Sequence, residues 1–160
     1  MKTKQVKTNR LILRNPLPKD SKEYSKIGVS YHSTGKIDTE KKSREHITKS
    51  LNSKNSFEWG LFLKTNGELI GIVELGHLDW FNDKAGGEMS HNIKKEYQKM
   101  GFGLESAKAL INYCFKSMKL HKIYADTTPG NIGAQKLLKR LGFKLEGRIR
   151  DRRKIKGKWV

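Results

Sequence analysis

The sequence predicts an α/β protein built on a mixed sheet, and three observations support this fold class. Short strand-like segments follow one another through the first half of the chain. From Gly103 the apolar spacing changes from two to about 3.6 residues, the period of an α-helix. Helical and strand-like segments then alternate towards the end. Strands that first meander and then alternate with helices predict helices on the faces of a sheet, and we expect one domain over residues 1–160.

Most of the predicted strands lie in the first two thirds of the chain. Apolar and β-branched runs bounded by turn residues predict strands at 10–14, 57–63, 69–75, 88–93, 122–127 and 143–149. Asn66-Gly67, between the second and third of these, supplies the two positive-φ positions of a tight hairpin. A stretch rich in Asp, Asn and Gly at 79–86 predicts another turn.

The predicted helices differ in character. Two short polar helices are expected at 20–27 and 39–52, the second capped by Asp38. A longer amphipathic helix is expected at about 103–120, and crossover geometry requires the two strands that flank it to be parallel. A last helix at 131–142 ends on a glycine, the usual residue of a left-handed cap.

The charge of the chain restricts its partners. The sequence has 34 Lys and Arg against 16 Asp and Glu, a net charge of +18, which attracts nucleic acid, acidic proteins or cofactor phosphates. The concentrated basic stretch at 148–158 is expected to be a solvated hairpin rather than a nucleic-acid patch. The lone Cys114 cannot form an internal disulfide, and no apolar run approaches the roughly 20 residues that cross a bilayer. We expect a cytoplasmic protein without membrane contact.

A glycine-containing segment between a strand and a helix is the candidate ligand site. Its residues are Gln98, Lys99, Met100, Gly101, Phe102 and Gly103. The two glycines allow close backbone approach, and the N–H groups and dipole of the following helix suit an anion such as a diphosphate. The spacing matches neither G-x-x-x-x-G-K-[ST] nor G-x-G-x-x-G, so NTPase and dinucleotide sites lack support.

Several segments resemble one known family. Gln-x-x-Gly-x-Gly at 98–103 resembles the acetyl-CoA pyrophosphate loop of the GNAT N-acetyltransferase superfamily, and Asn-Ile-Gly-Ala at 131–134 resembles its second signature. The Arg-Leu-Ile-Leu-Arg run at 10–14 and Trp59 are similar to the branch that acetylates ribosomal-protein N-termini. The resemblance extends from about residue 8 to residue 160.

The resemblance implies a cofactor site and a reaction. Strands 88–93 and 122–127 would splay apart to hold the pantetheine arm of acetyl-CoA. The backbone near Ile93, the amides of 98–103 and the side chain of Asn131 would contact the cofactor. An amine would attack the thioester directly, so the site must accept a proton from the amine and stabilise the oxyanion and the leaving thiolate.

Three carboxylates are candidates for the general base, in the order Glu88, Glu74, Asp126. The alternatives are a surface ion pair for Glu88, an exposed strand face for Glu74 and a turn cap for Asp126. His77 and His91 are candidates for proton relay, because histidine titrates near neutral pH, with solvated or packed roles as alternatives. No spacing of His, Cys or carboxylates indicates a metal site.

Some positions depart from the family pattern. Leu138 occupies the place of the tyrosine that family members use as the acid for the thiolate, and Ala134 replaces a serine of the ribosomal branch. The last strand of the family fold is expected to be missing after Trp159. Either the native chain continues beyond residue 160, or the bare sheet edge is completed by another chain or left short, and we expect such an edge to favour a homodimer or an exchange of strands.

The predicted function is transfer of an acetyl group from acetyl-CoA to a primary amine. The first substrate class is the N-terminal amine of an acidic, for example ribosomal, protein, which the +18 charge would steer. One alternative is acetylation of a small-molecule amine such as an antibiotic or polyamine. The other is a non-catalytic basic module that binds RNA or ribosomes with the same fold.

Overall fold

The computed structural model describes residues 3–27, 39–81, 84–152, 154–155 and 157–159. The strands are β1 (Val6–Lys7), β2 (Leu11–Arg14), β3 (Phe57–Leu63), β4 (Leu69–Phe81), β5 (Lys84–Ile93), β6 (Lys122–Tyr124), β7 (Lys154–Ile155) and β8 (Lys158–Trp159). The α-helices are α1 (Ser21–Ser25), α2 (Glu40–Leu51), α3 (Phe102–Lys116) and α4 (Ile132–Arg140). Within these ranges, β1 to β6 form a six-stranded sheet in chain order, and β7 pairs only with β8.

The sheet is mixed, as predicted, and is covered on both faces. Strands β1 to β5 are antiparallel neighbours, and β5 pairs with β6 in parallel. Successive strand residues point to opposite faces, so Val73 of β4 lies in a core with Cys114 of α3, whereas Ile72 lies in a second core with Tyr24 and Ile47 from α1 and α2. Burial raises the pKa of the Cys114 thiol to about 12, in keeping with a core role.

The two short N-terminal helices exist, with different limits. The helix predicted at 20–27 is shortened to α1, which a 3-10 turn precedes. The cap of α2 is Thr39, whose side chain accepts a hydrogen bond from the Lys42 N–H at 3.3 Å. The cap was predicted at Asp38, which lies outside the described residues.

The predicted hairpin of β3 and β4 is confirmed, but the predicted geometry of its turn and the predicted turn at 79–86 were wrong. Only Gly67 of the Asn66-Gly67 pair has a positive φ, 73°, because the Asn66 side chain instead accepts a hydrogen bond from the Glu68 N–H at 3.0 Å and stabilises a longer turn. The predicted turn at 79–86 is largely strand, since β4 and β5 continue their ladder as far as the pair Phe81 and Lys84. A polar, glycine-containing composition did not outweigh the backbone hydrogen bonds that the ladder provides.

The C-terminal third has less strand than predicted. The strand at 122–127 ends at Tyr124, and residues 143–149 form no strand. A strand requires a neighbour for its backbone groups, and no strand in the described ranges pairs with the outer edge of β6. The helix predicted to run to 120 ends at Lys116. The left-handed cap is confirmed, since Gly142 has φ of 88°.

A buried lysine holds the end of β5 to the rest of the fold. Lys94 is 4% exposed. Its ammonium lies 2.8 Å from a Glu23 carboxylate oxygen on α1 and 3.2 Å from one of Glu68 before β4. The Tyr97 hydroxyl donates to the other Glu68 oxygen at 2.8 Å. The segment that leads to residues 98–103 is therefore tied to two other parts of the chain.

We expect Lys94→Met to lower the free energy of unfolding by about 1–3 kcal/mol, because two carboxylates lose a buried partner but remain accessible enough to rehydrate. Urea unfolding followed by tryptophan fluorescence measures this. Lys26→Met is the matched control, since Lys26 pairs with Glu23 on the surface, where such pairs contribute less than about 1 kcal/mol. Equal stability of the two variants would contradict the structural role of Lys94.

Candidate active site

The first feature of the site is the point at which β5 and β6 part. Their parallel ladder covers three pairs and ends where Glu88 faces Tyr124. Strand β5 continues to Ile93, so its last residues have no strand partner on this side within the described chain. This arrangement matches the diverging strands that the family resemblance implies, and no strand covers this edge of β5 beyond Glu88 within the described ranges.

The second feature is the start of α3, which lies next to the end of β5. Gly101 is the N-terminal cap, with φ of 86°, and makes no side-chain capping bond. The Glu105 N–H donates to the Gly101 carbonyl at 3.1 Å, the first bond of the helix. The amides of residues 102–104 precede that bond and have no acceptor within the helix. Together with the helix dipole they suit an anion.

Glycine at position 103 allows α3 to begin close to its neighbours. A Cβ there would lie 3.0 Å from His91 Cε1 on β5 and 3.6 Å from Leu137 Cδ2 on α4. The first distance is tighter than most Cβ contacts, so a side chain at position 103 would require the His91 ring or the start of the helix to shift by a few tenths of an ångström. Lys99 adds a second left-handed residue near Gly101, with φ of 62°, a conformation unfavourable for a non-glycine residue and frequent at functional sites.

The side chains predicted to bind the cofactor have local structural contacts. The Gln98 amide donates to the Ile93 carbonyl at 2.9 Å. Phe102 is buried, edge-on to Tyr97 at 6.2 Å between ring centroids. The Asn131 oxygen accepts from the Ala134 N–H at 3.1 Å and caps α4. Met100 is 54% exposed. These contacts shape the site, and contact with a cofactor stays a prediction for each residue.

An anchor between the N-terminal segment and α3 was not found from the sequence. The Glu105 carboxylate accepts hydrogen bonds from the Thr8 hydroxyl at 2.6 Å, the Arg10 N–H at 2.8 Å and Arg10 Nε at 2.7 Å. Arg10 Nη1 donates to the Met100 carbonyl at 3.1 Å, and the guanidinium lies 4.1 Å from the centroid of Phe102. No local pattern could reveal an interaction between residues 95 positions apart.

Glu74 lies at a surface cavity of about 370 Å³. The lining residues are Ser53, Asn55, Ser56, Glu74, Gly76, His77 and Leu78. The Ser56 hydroxyl donates to Glu74 Oε1 at 2.7 Å, while buried Oε2 has no hydrogen-bond partner in the part of the chain that the structure describes. Burial and then the charge of Glu88 raise the pKa of Glu74 to about 7. A carboxyl group with this pKa can exchange a proton near neutral pH.

Glu88 and His77 lie beside Glu74. Gly76 pairs with Glu88 and Asp79 pairs with Gly86, so β4 contains one extra residue, a β-bulge. The bulge gives His77 φ of 48° and brings its Nε2 to 3.9 Å from a Glu88 oxygen, too far for a hydrogen bond. Glu74 is two residues from Gly76, so Glu74 and Glu88 are diagonal neighbours on one face.

Asp126, the third candidate base, lies beyond the end of β6. Its carboxylate forms an ion pair with Arg152 Nη2 at 3.1 Å. Asp126 does not line the cavity at Glu74. Of the three candidate bases, only Glu74 lines that cavity, and the choice of base stays a prediction.

His91 occupies a half-buried position beneath the start of α3. Its Nε2 lies 3.0 Å from the Ser106 hydroxyl oxygen, and that hydroxyl donates to the Phe102 carbonyl at 2.7 Å. The hydroxyl proton is thus in use, so His91 Nε2 must donate. Burial lowers the pKa of His91 to about 4, and the neutral ring supports the first turn of α3. No local sequence pattern indicates the contact between His91 and Ser106.

The described ranges lack two kinds of feature. They contain no helix with the length and apolar character that crossing a membrane would require. They also contain no group of three or more His, Cys, Asp or Glu side chains arranged to hold a metal ion.

Comparisons with known proteins agree with this geometry. Residues 10–144 match the GNAT acetyltransferase domain. The [ribosomal protein uS5]-alanine N-acetyltransferase of Escherichia coli is 30% identical over 66% of this chain and 54% of its own length. The spermidine N(1)-acetyltransferase of Escherichia coli is 30% identical over 61% of this chain and 51% of its own.

A solved GNAT-family acetyltransferase from Bacillus anthracis superposes with a TM-score of 0.81 at 25% identity, over 98% of this chain and 93% of that one. Matches to three other curated relatives cover 51% to 67% of their lengths. The family match spans most of the chain, and the fold agrees over nearly all of it. The chain belongs to the GNAT acetyltransferase family.

Proposed function

We propose that this chain transfers the acetyl group of acetyl-CoA to a primary amine, with direct attack of the amine nitrogen on the thioester carbonyl. The observation that carries the proposal is the uncapped start of α3 at Gly101, beside the point where β5 and β6 part. Free amides at a helix start suit a diphosphate. The edge of β5 beyond Glu88, which no strand covers in the described residues, suits the amide groups of a pantetheine arm.

The residues present fit this cofactor. The amides of residues 102–104 would bind the diphosphate, and Gly101 and Gly103 leave the backbone accessible. The backbone of β5 near Ile93 and the side chain of Asn131 would contact the arm. When bound, acetyl-CoA supplies an activated acyl group, so the protein needs only to orient the amine, accept its proton and stabilise the charge that develops on oxygen.

Glu74 is the proposed proton acceptor. An α-amino group has a pKa of about 7.7–8.0 and an alkylamine such as lysine about 10.4. Transfer of a proton to a base with pKa of about 7 costs about 1 kcal/mol from the first and about 4–5 kcal/mol from the second, at about 1.4 kcal/mol per unit. The difference of about 3 kcal/mol favours an N-terminal α-amine as acceptor.

An acidic, for example ribosomal, protein is the proposed source of that α-amine. The net charge of +18 would speed its encounter with the enzyme. At the cavity the carboxylate of Glu74 would then face the N-terminal ammonium, with Glu88 its diagonal neighbour on the same face of the sheet. Leu138 cannot protonate the departing thiolate, so the proton that Glu74 gains, or water, is the proposed source.

A small-molecule amine is the second candidate acceptor. Glu74 and Glu88 lie together on one face, and two carboxylates suit an acceptor that carries more than one positive charge, such as a polyamine. A larger kcat/KM for spermidine than for an N-terminal peptide would favour this candidate. RNA binding without any thioester turnover would instead favour the non-catalytic alternative.

The quaternary state and cellular location are also proposals. Strand β6 is at the edge of the described sheet, and an unpaired strand edge favours pairing with another chain. We propose a homodimer and a cytoplasmic location.

We expect Gly101→Glu to abolish acetyl-CoA binding in calorimetric titration, because it adds negative charge at the diphosphate site and forces a left-handed backbone on a residue with a side chain. Gly147→Glu is the matched control, because Gly147 has no heavy atom within 4 Å of its added Cβ and no positive φ. Equal binding by wild type and Gly101→Glu would refute the diphosphate site.

We expect Glu74→Gln to lower kcat by a factor of about 10²–10⁴, the usual contribution of a general base, and to remove a rise in wild-type activity near pH 7. Glu88→Gln should move that rise to lower pH, since the charge of Glu88 raises the pKa of Glu74. Wild-type kcat in Glu74→Gln would exclude Glu74 as the base.

The same variant has a stability signature. The raised pKa means that the folded state prefers protonated Glu74, so this contribution to stability is complete below about pH 4.5 and is lost as pH rises through about 7. Calorimetry should therefore show that Glu74→Gln gains Tm relative to wild type between these pH values. A constant Tm difference would show that folding does not shift the pKa of Glu74.

A further inference from the structure

We infer that Arg10 is a positioning residue for the diphosphate loop, defined as residues 98–103, and that it sets the affinity for the nucleotide end of acetyl-CoA. The inference rests on the proposed function. It assigns a role to a residue before β2 that lies far from the loop in sequence.

Arg10 connects two parts of the loop region with one planar group. Its Nε donates to Glu105 in the first turn of α3 at 2.7 Å, and its Nη1 donates to the Met100 carbonyl in the loop at 3.1 Å. A Cβ on Gly101 would lie 3.3 Å from Nη2. The guanidinium therefore bridges from the helix to the loop beside the left-handed cap of α3.

The Arg10 guanidinium has an aromatic contact on one face and hydrogen bonds along its edges. Its face lies 4.1 Å from the centroid of Phe102. The Glu105 carboxylate that orients it is itself fixed by the Thr8 hydroxyl at 2.6 Å and the Arg10 N–H at 2.8 Å. Arginine offers five donors in a rigid fork. Lysine has one nitrogen and lacks the fork that reaches Glu105 and the Met100 carbonyl together.

The loop needs such an anchor. Lys99 and Gly101 both have left-handed φ values, 62° and 86°, and strain at a non-glycine residue persists only when the surroundings impose it. Arg10 holds the Met100 carbonyl between these two residues. A loop that is already ordered loses less conformational entropy when a ligand binds.

The consequence is confined to binding. Contacts between loop amides and a diphosphate are the same before and during acetyl transfer, so their loss raises KM and leaves kcat at saturation unchanged. A ligand without the diphosphate does not use the loop. Only the nucleotide-bearing cofactor should therefore respond to a change at Arg10.

Arg14 provides a matched control at the other end of β2. It also pairs with a carboxylate, Asp20 at 2.9 Å, and lies over an aromatic ring, Phe62 at 3.5 Å from the centroid. Its contacts are of the same kind, but none involves the diphosphate loop. Arg14→Lys therefore reports the general cost of replacing an arginine that has both kinds of contact.

The experiment compares acetyl-CoA with S-acetylpantetheine, which lacks the diphosphate and nucleotide, as ligands and as acetyl donors. We expect Arg10→Lys to raise the Kd and KM for acetyl-CoA about tenfold or more, with kcat unchanged and no change towards S-acetylpantetheine. Glu105→Gln should act in the same direction. Arg14→Lys should leave the Kd for acetyl-CoA unaltered.

Three results would overturn the inference: an unchanged Kd for acetyl-CoA in Arg10→Lys, an equal loss of affinity for both ligands, or an equal effect of Arg14→Lys. The equal loss for both ligands would indicate damage to the fold rather than to the loop. A wild-type protein that bound no acetyl-CoA would refute the proposed function itself, and the two failures are therefore distinguishable.

Discussion

The start of α3 without a side-chain cap is the constraint on which the rest of the site depends. A helix that begins at Gly101 leaves amides without acceptors, and such a start is stable when solvent or a ligand supplies the missing acceptors. Three contacts hold this helix end beside β5. They are the close approach at Gly103, the hydrogen bond of the half-buried, neutral His91 to Ser106, and the ion pair of Arg10 with Glu105. The amides of residues 102–104 are thereby kept together at the start of α3, beside the end of β5.

A second electrostatic feature is a pair of carboxylates on the neighbouring strands β4 and β5. The chain as a whole is strongly basic, yet Glu74 and Glu88 lie on one face of the sheet, where burial raises the pKa of Glu74 to about 7. The global charge and the local charge thus act on different steps. The net positive charge would govern which partners approach the protein. The carboxylates would govern the loss of a proton from the amine after the amine has bound.

The sequence predicted those parts of the fold and site that local rules determine. The parallel crossover, the glycine at the start of α3 and the cap at Gly142 follow from residues close in sequence. Contacts between distant residues, such as Arg10 with Glu105, have no local signal. The strand predicted at 143–149 was wrong because strand formation depends on a neighbour, and the burial that raises the pKa of Glu74 depends on the assembled sheet.

A crystal structure with coenzyme A bound tests the central claim most directly. We expect the diphosphate oxygens to lie within hydrogen-bonding distance of the backbone amides at the start of α3, between Met100 and Leu104. We also expect the pantetheine arm to run along the edge of β5 beyond Glu88, where β6 no longer pairs with it. Electron density for the diphosphate at any other surface of the protein would contradict the central claim.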